Sequence, residues 1–144
     1  MNYQITHYQF LSGTLRRKIE ESESEFIHQL LLIIENNYHN PNFTVTDLAH
    51  YLNTNRIYLY RKLKELLDLN ASSLIRVYRL HKAKEKILSS NNSLSVIATS
   101  SGFSNASYFT QCFKNYYGTI PSLYKKSNQQ SLSFEEILNK KILV

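Results

Sequence analysis

Cysteine, glycine and long apolar runs are all scarce in this chain, and each shortage closes off a class of function. The single cysteine, Cys112, cannot form an intramolecular disulfide, and no Cys/His cluster has zinc-ligand spacing. Three glycines in 144 residues cannot supply a glycine-rich phosphate loop. The longest apolar run, Leu30 to Ile34, is too short to span a bilayer, and the N-terminus lacks a signal-peptide core. Period-two alternation is missing over any useful length, so the fold reads as all-α. The five histidines, His7, His28, His39, His50 and His81, are scattered and do not read as members of a relay. Glu20, Glu21, Glu23 and Glu25 read as a solvated charge run, and Cys112 as a small packed side chain rather than a nucleophile. These absences predict a protein that is not an enzyme, needs no metal or cofactor, does not enter a membrane and is soluble in the cytoplasm. A length of 144 residues allows one compact domain or two very small ones.

What the chain does have is basic charge in one place. The net charge is +6, but residues 43–126 hold twelve Lys/Arg against four Asp/Glu, whereas residues 1–42 hold three against five. A basic segment of this kind suits a polyanion, although a merely solvated surface would look the same.

The same segment contains a repeat. Thr44-Val45-Thr46-Asp47-Leu48-Ala49, a turn, then Asn55 to Lys64 has the layout of Ser93-Leu94-Ser95-Val96-Ile97-Ala98, a turn at Gly102, then Asn105 to Lys114. Val45, Leu48 and Ala49 match Leu94, Ile97 and Ala98; Tyr58, Leu59, Leu63 and Lys64 match Tyr108, Phe109, Phe113 and Lys114. The offset grows from 49 to 50 across the turn, so the second copy has one extra turn residue. Short helix, tight turn and longer helix make a helix-turn-helix, and two in tandem on a basic chain point to DNA.

Residues 1–24 read as a linker, with Arg16-Arg17-Lys18 followed by acidic residues. From Phe26, apolar positions 26, 27, 30, 31, 33, 34 and 38 share one side of a helix, which Asn40-Pro41-Asn42 ends. Thr44 with Asp47 predicts a cap for the next helix, and Asn55 a cap for the one after. The first helix-turn-helix spans about 44–68 and is ended by Asp68-Leu69-Asn70. A long amphipathic helix follows over about 72–89. Its apolar face is Leu74, Val77, Leu80, Ile87 and Leu88, and Arg76, Arg79, Lys82 and Lys86 lie on another side. The second helix-turn-helix spans about 93–118, closed by Gly118, with a last short helix from Pro121. In the tail, 127–144, Ser133 and Glu136 form a capping box that predicts an extra C-terminal helix.

On the two longer helices of the repeat, Leu59, Leu63 and Leu66, and Phe109, Phe113 and Tyr116, form the inward sides. Tyr58, Tyr60, Tyr108, Tyr116, Tyr117 and Tyr124 read in part as amphipathic cover over that core. Ile57, Tyr60, Arg61 and Lys64, and Ser107, Thr110, Gln111 and Lys114, face out. Arginine can donate two bonds to guanine, glutamine can pair with adenine, and serine or threonine can bond either. Lysines one turn further on suit phosphate. A polar helix face is usually just solvated; the same layout twice at matched positions favours base reading.

The closing stretch also carries a family resemblance. Ile97-Ala98, Gly102-Phe103, Ser107-Tyr108-Phe109, Phe113-Lys114, Gly118, Pro121 and Tyr124-Lys125 resemble the signature of the AraC/XylS transcription regulators in its order and spacing. Leu59, Arg61 and Lys64, then Arg79-Leu80 and Ala83, resemble its first half, so the likeness covers about residues 25–126. It implies a seven-helix DNA-binding domain, two helix-turn-helix units joined by the helix 72–89. Base contacts are implied for Ile57, Tyr60, Arg61, Ser107, Thr110 and Gln111, and phosphate contacts are expected from Arg56, Lys64, Arg76, Arg79, Lys114 and Lys125. Gln111 and Lys125 stand where arginine is usual, Asp68 replaces a helix-ending glycine, and Val96 replaces an acidic residue. The run Leu59 to Leu66 resembles the version fused behind response-regulator or hybrid two-component sensor modules. Because only about 24 residues precede the first helix, the expectation is a C-terminal piece of a longer regulator, whose sensor or receiver domain lies outside this sequence.

The functional expectation is therefore a sequence-specific regulator of transcription, an activator on family grounds, with double-stranded DNA and RNA polymerase as partners. A non-specific architectural DNA binder is the alternative, and a Cys112-dependent DNA-repair module a more distant one. The helix 72–89 is about 27 Å long, while adjacent major grooves on one face lie about 34 Å apart. Tandem reading is then expected to bend the DNA or leave one helix incompletely docked.

Overall fold

A computed structural model describes residues 21–127, and every regular element among them is helical. Seven helices follow in order: α1 Glu21–Asn37, α2 Val45–Tyr51, α3 Arg56–Leu67, α4 Ala71–Ser89, α5 Leu94–Ser100, α6 Ala106–Tyr117 and α7 Pro121–Lys126. The helix expected after Ser133 lies outside the described residues. The chain divides into two compact units. The first takes in α1 as far as Asn36 and then residues 44–74, and the second takes in residues 37–43 and continues from Ile75.

In the first unit, α1 includes residues 21–24, which were expected as linker. Glu23 reaches Lys62 on α3 at 3.7 Å. Ile27, Leu30, Leu31 and Ile34 are buried along α1. The cap expected for α2 forms in both directions: Asp47 N–H donates to Thr44 Oγ1 (3.2 Å) and Thr44 N–H to Asp47 Oδ2 (2.8 Å). A four-residue turn follows, with Asn53 in the left-handed region at φ 56° and Thr54 N–H donating to the Ala49 carbonyl. α2 packs on α3, whose buried residues are Leu59, Leu63 and Leu67. Leu66, expected inside, is half-buried. The stripe runs at strict i, i+4 spacing, and Leu67 completes it.

In the second unit, residues 38–43 form a non-helical segment, so Tyr38, counted on the face of α1, lies just past the end of that helix. Asn42 N–H donates to Asn40 Oδ1 at 2.9 Å, a side-chain turn that ends the helix before Pro41. Leu80, Ala83, Ile87, Ile97, Ala98, Phe103, Phe109, Phe113 and Tyr124 form one core cluster. The rings of Phe103, Phe109, Phe113 and Tyr124 follow one another at 5.1–5.7 Å, in tilted or edge-on pairs. Leu88, expected on the apolar face, is 38% exposed, and Ile75, Tyr78 and Ala83 are buried instead. Lys84 is an unexpected core residue at 1% exposure, its Nζ 5.9 Å from the centre of the Tyr117 ring.

Two features position the second turn. Gly102, at φ 90°, lies so close to the Tyr38 carbonyl that a Cβ there would collide with it and with the Arg79 side chain. Arg79 Nε donates to that same carbonyl at 2.9 Å, and its Nη2 donates to the carbonyls of Asn40 (2.8 Å) and Phe43 (3.4 Å). One guanidinium thus gathers a segment whose own backbone bonds include the short turns Asn40 N–H to the Asn37 carbonyl and Phe43 N–H to the Asn40 carbonyl, both 3.1 Å. Lys86 Nζ donates to the Ser100 carbonyl at 2.8 Å, fixing the end of α5.

Candidate nucleic-acid interface

The helices α3 and α6 are built to one frame. Each has twelve residues and an asparagine cap: Asn55 Oδ1 accepts from Tyr58 N–H at 2.9 Å, and Asn105 Oδ1 from Tyr108 N–H at 2.8 Å. Each ends on a left-handed residue whose N–H bonds back four residues, Asp68 to the Lys64 carbonyl (3.2 Å) and Gly118 to the Lys114 carbonyl (2.8 Å). Each buries the matched pair, Leu59 and Leu63 or Phe109 and Phe113, at 0% exposure. Residues fifty apart therefore hold equivalent stations on the two helices.

The outward stations carry the expected side chains. Ile57 is 67% and Tyr60 56% exposed; Arg61, Ser107 and Gln111 are also exposed, and Thr110 is half-buried. Large apolar groups left open together on one short helix need a reason, since scattered exposure is ordinary but clustered exposure marks contact surface. Tyr58 and Tyr108, read from the sequence as cover over the core, are about half exposed beside these stations. Their shared place after the cap was the signal that could have set them apart. In the first unit Val45, Arg56, Ile57, Tyr60, Asn70, Ala71 and Ser72 line an open depression of about 520 Å³.

The six cations expected on phosphate fall into different settings. Arg56 and Lys114 are exposed. Lys64 is exposed but bonded to Asp68 Oδ1 at 2.9 Å, and that hydrogen bond raises its pKa. Arg76 is half-buried near Tyr108, whose ionised form its charge favours. Arg79 is committed to the three carbonyls of residues 38–43, and burial lowers its pKa. Lys125 donates to the Ser90 carbonyl (2.7 Å) and Asn91 Oδ1 (3.3 Å), tying α7 to the loop before α5. Cys112 is half-buried, and its hydrogen bond to Tyr108 pushes that phenol's pKa up. Among the described residues no cluster of His, Cys, Asp or Glu could hold a metal, and no helix is long and apolar enough to cross a membrane.

Two capped helix pairs, each presenting a polar outer helix from an apolar inner face, define a tandem helix-turn-helix domain. The sequence profile of a family described as a helix-turn-helix domain matches residues 48–127. The chain belongs to this AraC-type helix-turn-helix family. It is 35% identical over 109 residues to the raffinose operon transcriptional regulatory protein RafR of Pediococcus pentosaceus, a match covering 76% of this chain and 39% of that protein. The chain thus spans about two fifths of the length of that curated relative. Among solved structures it is similar to the C-terminal domain of the two-component response regulator yesN from Fusobacterium nucleatum. That match has a TM-score of 0.64 and 29% identity, and covers 67% of this chain and 93% of that one. It is also similar to the C-terminal domain of AraT, a response regulator from Geobacillus stearothermophilus, at TM-score 0.66 and 26% identity, covering 84% and 90%.

Proposed function

We propose that this chain is the DNA-binding part of a sequence-specific transcription regulator, which sets α3 and α6 into major grooves. The observation that carries this reading is the shared frame of α3 and α6, which twice presents exposed base-competent side chains over a buried apolar pair. Ile57, Tyr60 and Arg61 read bases from the first unit, and Ser107, Thr110 and Gln111 from the second. Arg56, Lys64 and Lys114 hold phosphate, and Arg76 does so beside Tyr108. Arg79 and Lys125, already bonded to backbone carbonyls, serve the fold instead. Activation through RNA polymerase is the proposed outcome of binding. The signal is proposed to enter through a sensor or receiver domain of a longer regulator, which the greater length of the raffinose operon relative supports.

The test is selection of bound duplexes from a random pool, followed by substitution. A defined motif should emerge, and Arg61→Ala should lose roughly 1–3 kcal/mol on it and relax preference at about one base pair. Lys114→Ala should instead weaken all duplexes alike and flatten the salt dependence by about one unit. A pool that yields no motif would favour the architectural alternative.

A further inference from the structure

Arg61 and Gln111 hold the same station on two helices of one frame, yet their chemistry differs. Both side chains are exposed on the outer sides of their helices. A guanidinium has only donors, so it matches the paired acceptors O6 and N7 of guanine. A carboxamide offers one acceptor and one donor group, which match N6 and N7 of adenine. The flanking stations differ in the same sense: Arg56, Ile57 and Tyr60 on α3 stand opposite Ala106, Ser107 and Thr110 on α6. Charge follows suit, since α3 carries Arg56, Arg61, Lys62 and Lys64 against Glu65, whereas α6 carries Lys114 alone.

We infer that the chain reads a directional site of two unlike elements, with a guanine met by Arg61 and an adenine met by Gln111. The first element supplies most of the attraction to phosphate. The second adds discrimination with little charge, so changing it moves sequence preference more than salt dependence. This inference rests on the proposed function, because it assigns the bases that function would read.

The experiment is selection from a random duplex pool by the chain and by its Gln111→Arg and Arg61→Gln variants. Both substitutions are at exposed positions, and thermal melting checks that each variant is folded. The unaltered chain should enrich guanine at one position of one element and adenine at one position of the other, each by about tenfold or more over the wrong base. Gln111→Arg should convert that adenine to guanine and leave the other element unchanged, and Arg61→Gln should convert the guanine to adenine. Should the second element show no preference, or keep its base in Gln111→Arg, the assignment of Gln111 fails. Persistence of the Arg61-dependent guanine would then leave the proposed function standing, and loss of both preferences would overturn it as well.

Discussion

At the scale of single residues, the two positive-φ glycines have unequal tasks. Gly118 at φ 80° faces open space where a Cβ would sit, so Gly118→Ala should cost only about 1–2 kcal/mol for its backbone conformation. At Gly102 a Cβ also runs into the Tyr38 carbonyl, and Gly102→Ala should cost about 2–5 kcal/mol, read by denaturant unfolding. Equal losses would show that the packing of Gly102 on residue 38 does not matter. Arg79→Gln leaves carbonyls of the 38–43 segment without their donor, so stability should fall by roughly 1–3 kcal/mol while the salt slope of DNA binding stays put. A flattened slope with unchanged stability would return Arg79 to the phosphate contacts. Both glycines were legible in the sequence because their signature positions match the family's. The role of Arg79 was not: an arginine on a basic helix face looks the same whether a phosphate or a distant carbonyl awaits it. Lys84 was equally illegible, since nothing local marks which lysine of α4 turns inward.

At the scale of elements, local side-chain chemistry decided most boundaries, and those were read well. The caps at Thr44 and Asn55, the stop at Gly118 and the start at Pro121 all sit where their chemistry placed them. α1 differs from the expectation in its bounds: residues 21–24 are helical, and the helix closes at Asn37, just ahead of the Asn40 turn. The reciprocal cap at Thr44 makes a pH prediction. The Thr44 backbone N–H, then its hydroxyl, holds the Asp47 carboxyl below the usual carboxylate range. A pKa depressed by folding gives stability that is complete above the unfolded value and is lost as pH falls through the folded one. The melting temperature of Asp47→Asn should therefore lie below that of the unaltered chain at neutral pH and converge with it in acid. A gap that stays constant with pH would remove the capping carboxylate from the account. Asp68 closes α3 in the left-handed region that glycine prefers and also occupies Lys64. Asp68→Gly should raise stability by about 1 kcal/mol through the backbone alone. It should also steepen the salt dependence of DNA binding by freeing Lys64.

At the scale of the whole molecule, α4 lies in the stretch of chain that joins the two helix-turn-helix pairs, and its 19 residues span roughly 28 Å. Inserting five base pairs between the two elements of a selected site would turn the second element to the far side of the duplex, where so short a link cannot follow. Affinity should drop toward that of the first element alone. The repeat made this tandem design legible from sequence, because two copies of one pattern can be compared with each other. The central claim is that DNA is bound with sequence specificity, and it is tested most directly by the affinity of the chain for a selected duplex and a scrambled one across a range of salt. Both should weaken with a slope of about −4 to −8 in log affinity against log salt. The selected duplex should hold an advantage of about 10³-fold or more. A slope near zero would contradict binding through phosphate, and equal affinities at every salt concentration would contradict sequence reading.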